Sequence, residues 1–223
     1  MNRKAFLMIL VLSSLLAGCQ QAKINKEYSK IMSMATEDRY SVSEIREYKG
    51  VRLDPSIGPR DNSIEGIQEV DMSTYSLKIT GLVEKSLSLA YEEVLALPAY
   101  EKLITLYCVE GWNTTILWKG VKITDLLSEA LPKEEGTILI FRCHDGYTTS
   151  MPLAEIVEKE MILAYSSNGA DLPAPLGYPF MVVAEDKLGY KWARWVVEIE
   201  VSDEVDYEGT WEKAGYDNDA DLP

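Results

Sequence analysis

A single cysteine at the end of an apolar segment is the strongest candidate for chemistry in this sequence. Residues 103–109 are apolar, β-branched or aromatic with little charge, which predicts a β-strand with Cys108 near its end. Gly111 follows and predicts a sharp turn or the close approach of another group. A thiol in this position suits a nucleophile, a redox centre or a metal ligand. A buried structural cysteine is the alternative, because free cysteines are among the most buried residues.

The elements that must position Cys108 are short helices and strands. An aromatic–glycine turn at 118–120 is expected to close the Cys108 segment. Apolar spacing predicts short helices at 91–97, 123–131 (with Thr124 as a possible N-cap) and 152–158. Further strands are predicted at 75–79, 87–89, 137–143, 162–165, 179–184 and 197–201. The pattern predicts an α+β fold with mixed β-sheets and short helices.

The first residues have the features of a targeting segment. Two basic residues precede an apolar stretch at 5–16, which is too short to span a bilayer, and the sequence LAGC ends at Cys19. This order resembles the bacterial lipobox, in which the cysteine is lipidated. We therefore expect a lipid-anchored protein on the extracytoplasmic side of the bacterial cell membrane. The predicted organisation is a lipoprotein signal peptide at 1–18, a flexible tether at 19–47, one domain at 48–218 and a tail at 219–223.

Composition excludes some partners and leaves the state of two cysteines open. The chain has 36 acidic against 22 basic residues and a formal net charge of −14, which argues against nucleic acid as a partner. If Cys19 is acylated, Cys108 and Cys143 remain, and in an exported protein they either pair as a disulfide or stay free. His144 is the only histidine, and no spacing around it suggests a zinc site.

Five segments in order resemble one known family over roughly residues 58 to 218. They are CVEGW from Cys108, WKGVKITDLL from Trp118, DGYTTSMPL from Asp145, GYPF from Gly177 and GYKWARWVVEIEVSD from Gly189. Together they resemble the oxidoreductase molybdopterin-binding domain, the fold of the sulfite oxidase catalytic domain and of the periplasmic methionine-sulfoxide reductase catalytic subunit. The resemblance implies a sulfite-oxidase-type molybdopterin-binding fold.

The resemblance also implies a cofactor and the residues that hold it. The cofactor is molybdenum-molybdopterin, and Cys108 matches the protein thiolate that binds the metal, in keeping with the preference of soft thiolates for thiophilic metals. Tyr147 is expected to border the open coordination site. The pterin and its phosphate are expected to contact polar and cationic side chains: Arg60, Asn62, Ser63, Lys191 and Arg194.

The expected function is an extracytoplasmic oxidoreductase that transfers an oxygen atom to or from a small substrate. A sulfoxide-like substrate is favoured over sulfite, because sulfite needs clustered positive charge and no arginine lies near Cys108 in sequence. The sequence lacks the haem-attachment motif C-x-x-C-H and a ferredoxin-type cysteine set, so the electrons are expected to come from a membrane or soluble electron-transfer partner.

Four positions depart from the family pattern and motivate an alternative. Many relatives carry a histidine or arginine at the place of Leu176 and an arginine at the place of Met181, and Glu185 and Asp186 replace a usual proline–glycine pair. Acidic residues near a phosphate site weaken its binding unless they are paired. The alternative is a cofactor-free module that keeps the fold and binds a ligand or a protein.

Overall fold

The computed structural model describes residues 26, 43–58 and 61–222. The chain divides into two compact units, Met1–Ser43 and Glu44–Pro223, and the structure describes only Lys26 and Ser43 of the first. The predicted signal peptide, Cys19, most of the predicted tether and Arg60 lie outside the described residues. Within the described part of the chain, no helix has the length and apolar character needed to cross a membrane.

The second unit consists mainly of short strands. The chain order is β1 (Glu47–Tyr48), β2 (Val51–Arg52), β3 (Leu77–Gly81), β4 (Leu87–Leu89), α1 (Tyr91–Leu95), β5 (Ala99–Tyr107), β6 (Asn113–Lys122), α2 (Ile123–Ala130), β7 (Ile138–Cys143), β8 (Thr148–Pro152), α3 (Leu153–Glu158), β9 (Ile162–Ser167), β10 (Ala170–Asp171), β11 (Met181–Val183) and β12 (Val196–Ser202). Short 3-10 helices lie at Ala174–Leu176, Gly189–Lys191 and Glu212–Ala214. The predicted α+β class with mixed sheets and short helices is confirmed.

One sheet has the strand order β4-β3-β12-β7-β8 and is mixed. Its central strand β12 runs parallel to β3 and antiparallel to β7. Ile199 and Val201 of β12 are fully or almost fully buried, while Glu198 and Glu200 are half-buried. This is the alternation expected of a strand with one face in the core.

The second sheet carries the Cys108 strand. Its order is β10-β9-β6-β5, and β11 also pairs with β9. β5 and β6 pair antiparallel along their whole length, from Ala99 opposite Val121 to Tyr107 opposite Asn113. Cys108 therefore lies just beyond β5, in the turn of a hairpin whose strands bury Ile116 and Trp118 in the core.

Two local predictions were wrong. Residues 118–120 do not form a turn but belong to β6, with an irregular register between Lys119 and Gly120. A Cβ atom on Gly120 would lie 2.1 Å from the carbonyl oxygen of Leu163, so the glycine allows β6 and β9 to approach closely. The residue before α2 is Lys122, without a side-chain capping bond, so Thr124 is not its N-cap.

Candidate functional site

Cys108 lies in a tight turn between β5 and β6. The amide of Cys108 donates to the carbonyl of Trp112 at 2.9 Å, and the amide of Gly111 donates to the carbonyl of Cys108 at 3.0 Å. Gly111 has a φ of +87°, which favours glycine, and no other group lies within 4 Å of where its Cβ would be. Cys108 is partly exposed, which removes the alternative of a buried structural cysteine.

Asn62 and Glu110 lie beside the sulfur. The Nδ2 of Asn62 is 3.8 Å from Cys108 Sγ and donates to Glu110 Oε2 at 3.1 Å. The indole Nε1 of Trp112 donates to the same carboxylate oxygen at 3.1 Å, and this oxygen is 4.0 Å from Cys108 Sγ. The predicted pterin-lining residue Asn62 is thus close to the predicted metal ligand, with its amide orientated by Glu110.

The neighbouring polar residues connect this site to Arg194. The amide and hydroxyl of Ser63 both donate to the Asp61 carboxylate, at 3.1 and 2.7 Å. Arg194 Nη1 donates to Asp61 at 3.2 Å and to the carbonyl of Pro175 at 2.8 Å. Partial burial by itself raises the pKa of Asp61, but the bonds from Ser63 and the charge of Arg194 outweigh burial and lower it. Two predicted residues, Ser63 and Arg194, therefore meet at Asp61, next to Asn62.

Lys191 lies in a buried ion pair. Its ammonium is fully buried and donates to Glu212 Oε1 at 2.6 Å, to the carbonyl of Ser150 at 2.9 Å and to Asn218 Oδ1 at 2.9 Å. Burial lowers the pKa of Lys191 despite the nearby Glu212 carboxylate. A lysine has three N–H donors, and all three have protein acceptors here. The predicted contact of Lys191 with the pterin phosphate stays a prediction, and it requires the ammonium to leave Glu212.

Tyr147 is packed into the domain with its hydroxyl satisfied. The hydroxyl donates to the carbonyl of Tyr190, the residue before Lys191, and burial raises the pKa of Tyr147. The structure thus places Tyr147 against the backbone of the segment that carries Lys191. Its predicted role at the open coordination site is not tested by this contact.

The second cysteine does not share the environment of Cys108. Both thiols are free in this structure, and Cys143 is buried. Burial raises the pKa of Cys143 well above its usual value, so its thiolate is disfavoured. In the described part of the chain, no group of three or more His, Cys, Asp or Glu side chains is placed to hold a metal ion.

The 185–191 loop packs directly against the Cys108 turn. Leu188 pairs with Tyr107, and a Cβ on Gly189 would lie 3.7 Å from Cys108 Cα. Sequence reasoning missed Gly189 as a neighbour of the thiol, although this glycine opens the GYKWARW segment. It also missed Glu110, which lies within the CVEGW segment itself.

The unusual acidic pair in this loop is neutralised. Glu185 accepts from Lys102 at 2.5 Å and Asp186 accepts from Lys159 at 2.6 Å. These partners come from β5 and from the residue after α3, far away in sequence. The departures at Glu185 and Asp186 therefore do not leave unpaired negative charge in the loop. The departure at Met181 is a buried apolar side chain in β11.

His144 belongs to a different surface region. Its Nδ1 lies 3.2 Å from Gln68 Oε1, and it borders a cavity of about 240 Å³ that is also lined by Asp71, Tyr75, Lys78 and Glu198. Neither Cys108 nor Asn62 lines this cavity. The histidine is thus a surface residue that lies away from the thiol.

Known relatives share most of this domain. The chain is 34% identical over 147 residues to the uncharacterised oxidoreductase YuiH of Bacillus subtilis, 29% identical over 184 residues to human mitochondrial sulfite oxidase, and 27% identical over 179 residues to the protein-methionine-sulfoxide reductase catalytic subunit MsrP of Xanthomonas campestris. These alignments cover 66%, 67% and 73% of this chain. They cover 74% of YuiH but only 33% of sulfite oxidase and 53% of MsrP.

A solved structure and a family description agree with these relatives. The sulfane dehydrogenase SoxCD of Paracoccus pantotrophus superimposes with a TM-score of 0.60 and 26% identity, over 62% of this chain and 41% of that chain. The family described as the oxidoreductase molybdopterin binding domain matches residues 64–211, which include Cys108, Tyr147, Lys191 and Arg194. With its thiol in the hairpin turn between β5 and β6, the chain belongs to the oxidoreductase molybdopterin-binding domain family.

Proposed function

We propose that this protein is an extracytoplasmic molybdopterin-dependent oxidoreductase that transfers an oxygen atom to or from a small sulfur compound, with a sulfoxide-like substrate favoured over sulfite. The observation that carries the proposal is the partly exposed thiol of Cys108, which is within the residues that match the family and lies beside the Asn62 amide. When bound, molybdenum-molybdopterin supplies two-electron oxygen-atom transfer.

The donor set around Cys108 fits this cofactor. A single accessible thiol, without a cluster of further metal-binding side chains among the described residues, suits a metal whose other ligands belong to an organic group. Gly111 has open space where a Cβ would lie, so the turn that carries Cys108 leaves room for a large ligand at this residue. Cys143 does not compete as a ligand, because burial disfavours its thiolate.

Residues beside the sulfur have defined roles in this proposal. Cys108 binds the metal as a thiolate, and the Asn62 amide donates a hydrogen bond that stabilises the charge on its sulfur. Glu110 accepts from both Asn62 and Trp112 and thereby orientates the amide. These contacts orientate the side chains beside the Cys108 thiol before the cofactor binds.

The charge balance of the predicted cationic residues favours an uncharged substrate. Arg194 is paired with Asp61, and Lys191 is paired with Glu212. A site for sulfite, which is an anion, needs a surplus of positive charge.

Arg194 is better placed than Lys191 to bind an anionic group of the cofactor. Among the residues that the structure describes, it bonds to Asp61 and Pro175 through Nη1 only, and an arginine has five N–H donors, so donors of its guanidinium remain for such a group.

The location and the electron source are part of the proposal. The basic residues, the apolar stretch and the LAGC sequence that ends at Cys19 support export and a lipid anchor on the extracytoplasmic side of the bacterial cell membrane. The sequence contains no haem-attachment motif, which supports a membrane or soluble electron-transfer partner. Mass spectrometry of Cys19 in the native protein tests the anchor, and an unmodified cysteine would contradict it.

Metal analysis of the purified protein tests the function. Wild-type protein produced in molybdenum-replete cells is expected to contain about one molybdenum and one pterin per chain. The Cys108→Ser variant is expected to contain only traces of molybdenum, because serine is a poor ligand for a thiophilic metal. Cys143→Ala is the matched control and is expected to keep its molybdenum. The loaded protein is expected to oxidise a reduced viologen dye with a sulfoxide as acceptor.

Two results would overturn parts of the proposal. Only traces of molybdenum in the wild-type protein would favour the cofactor-free binding module. Faster oxidation of sulfite than reduction of sulfoxides by the loaded protein would reject the substrate preference but keep the cofactor.

A further inference from the structure

The segment after β12 folds back onto the 185–191 loop. We call residues 203–222 the C-terminal strap. The amide of Leu188 donates to the carbonyl of Ala220 at 2.8 Å, and the amide of Leu222 donates to the carbonyl of Asp186 at 3.1 Å. The strap thus forms backbone bonds at two points of the loop.

Side chains add further contacts between the strap and the loop. Lys187 has a side chain that is only 4% exposed, and its ammonium lies 2.6 Å from Asp221 and 2.6 Å from Glu155 of α3. The hydroxyl of Tyr190 donates to the carbonyl of Asp217 at 2.7 Å, and the Tyr190 ring packs on Tyr216.

The buried pair of Lys191 and Glu212 anchors the strap most deeply. Both side chains are essentially inaccessible, with exposures of 0% and 1%. The same Glu212 oxygen accepts from Thr149 of β8 at 2.7 Å, and Asn218 of the strap accepts from Lys191 at 2.9 Å. Both lysines of the loop therefore use their charge to hold the strap.

The loop lies between the strap and the Cys108 turn. Its Leu188 pairs with Tyr107, and Gly189 packs against Cys108 Cα. Leu188 itself also bonds to Ala220 of the strap. The strap and Tyr107, the residue before Cys108, thus both contact Leu188, and the next loop residue, Gly189, lies against Cys108.

We propose that the C-terminal strap positions the 185–191 loop against Cys108, with Glu212, Asn218 and Asp221 as positioning residues, so that strap docking and cofactor retention support each other. This inference rests on the proposed cofactor but concerns residues that the family resemblance does not assign. Because the coupling is reciprocal, a bound cofactor is expected to stabilise the docked strap.

Amide hydrogen exchange and molybdenum content test this proposal together. The first variant ends at Gly215, which keeps Glu212 and removes the strap residues that bond to Leu188, Lys187 and Asp186. The second, Asn218→Ala with Asp221→Asn, changes only side chains and guards against misfolding of the first. Glu200→Gln, which breaks the pair of Glu200 with Arg142 on the first sheet, is the matched control.

The informative amides are those whose acceptors lie within the loop region. Lys187 donates to Ala184, Lys191 to Leu188 and Trp192 to Gly189, so loss of the strap removes none of these acceptors. The exchange of these three amides is expected to accelerate about 10-fold or more in both strap variants. The molybdenum content is expected to fall about 10-fold, because losing a residue that supports a metal ligand typically weakens metal binding by about this factor. The control is expected to match the wild type in both measurements.

Three outcomes would reject the proposal. Unchanged exchange at Lys187, Lys191 and Trp192 would show that the strap does not hold the loop. Faster exchange with unchanged molybdenum content would show that loop position and cofactor retention are independent, and a higher molybdenum content would show that the strap opposes binding. Absence of molybdenum from the wild-type protein rejects the proposed function instead, and the exchange measurement then still tests whether the strap positions the loop.

Discussion

The Nδ2 of Asn62 lies 3.8 Å from the Sγ of Cys108, although the two residues are 46 positions apart in sequence. Asn62 belongs to an irregular segment before the first sheet, whereas Cys108 belongs to a hairpin turn of the second. Their contact brings the predicted pterin-lining segment and the predicted metal ligand together. It also makes Asn62 the most informative single position for testing the site.

Asn62→Ala is expected to reduce molybdenum content about 10-fold, because it removes the hydrogen-bond donor beside the metal ligand. The side chain is exposed, so the free energy of unfolding is expected to change by no more than about 0.5 kcal/mol. Metal analysis and urea unfolding measure the two effects. Gln68→Ala, which removes the partner of His144, is the control and is expected to keep its metal. Equal metal loss in both variants would argue against a specific role of Asn62.

Lys191→Met is expected to lower the free energy of unfolding by about 3–5 kcal/mol, because it leaves the buried Glu212 carboxylate without its cation. Replacing both members, Lys191→Met with Glu212→Leu, is expected to restore stability close to that of the wild type. Denaturant unfolding of the three proteins measures this. A loss of molybdenum in Lys191→Met with unchanged stability would instead indicate that Lys191 contacts the cofactor directly.

Asp61 is expected to contribute to stability only above its titration range. Its pKa in the folded protein is lowered from the usual 3.8, so the charged form favours folding, and this contribution is lost as pH falls through the folded-state pKa. Asp61→Asn is therefore expected to cost about 1 kcal/mol or less near neutral pH, as for a partly exposed ion pair, and nothing in strong acid. Urea unfolding of the wild type and of Asp61→Asn, near neutral pH and in strong acid, measures this pH dependence of the stability difference. An equal cost at both values would exclude a role for the carboxylate charge.

Gly111→Ala and Gly146→Ala form a matched pair. The two glycines have φ values of +87° and +83°, and no atom lies within 4 Å of either Cβ position. Both variants are expected to lose about 1 kcal/mol of stability through backbone strain alone. Only Gly111→Ala is expected to lose molybdenum as well, because its new methyl group would enter the open space of the turn that carries Cys108. Equal molybdenum contents would show that the cofactor does not use that space.

The sequence predicted the fold class and the central residue of the site but not the contacts around it. Strands such as β12 have an apolar alternation that depends only on local sequence, so they could be recognised directly. The aromatic–glycine pattern at 118–120 predicts a turn, but these residues belong to β6, because the requirement for a glycine there comes from the Leu163 carbonyl of β9. That neighbour is 43 positions away and leaves no local signal.

Long-range pairing also explains what was missed at the site. The GYKWARW segment predicts that Lys191 binds phosphate, whereas its partner Glu212 lies 21 positions further on and carries no sequence signal for this pairing. The sequence alone predicts that Glu185 and Asp186 weaken binding at a phosphate site. Their partners Lys102 and Lys159 lie on other elements, so the ion pairs cannot be recognised from the local sequence. Charge pairs of this kind depend on the tertiary fold and not on spacing.

The position of β12 has a consequence for biosynthesis. This strand joins β3 to β7 at the centre of its sheet, yet it is the last strand of the described part of the chain to be synthesised. The strand pair β3–β4 and the pair β7–β8 therefore have no common neighbour in that sheet until residues 196–202 have emerged from the ribosome. We expect a nascent chain that stops before β12 to be sensitive to protease and prone to aggregation, with native structure acquired only after translation has passed this point.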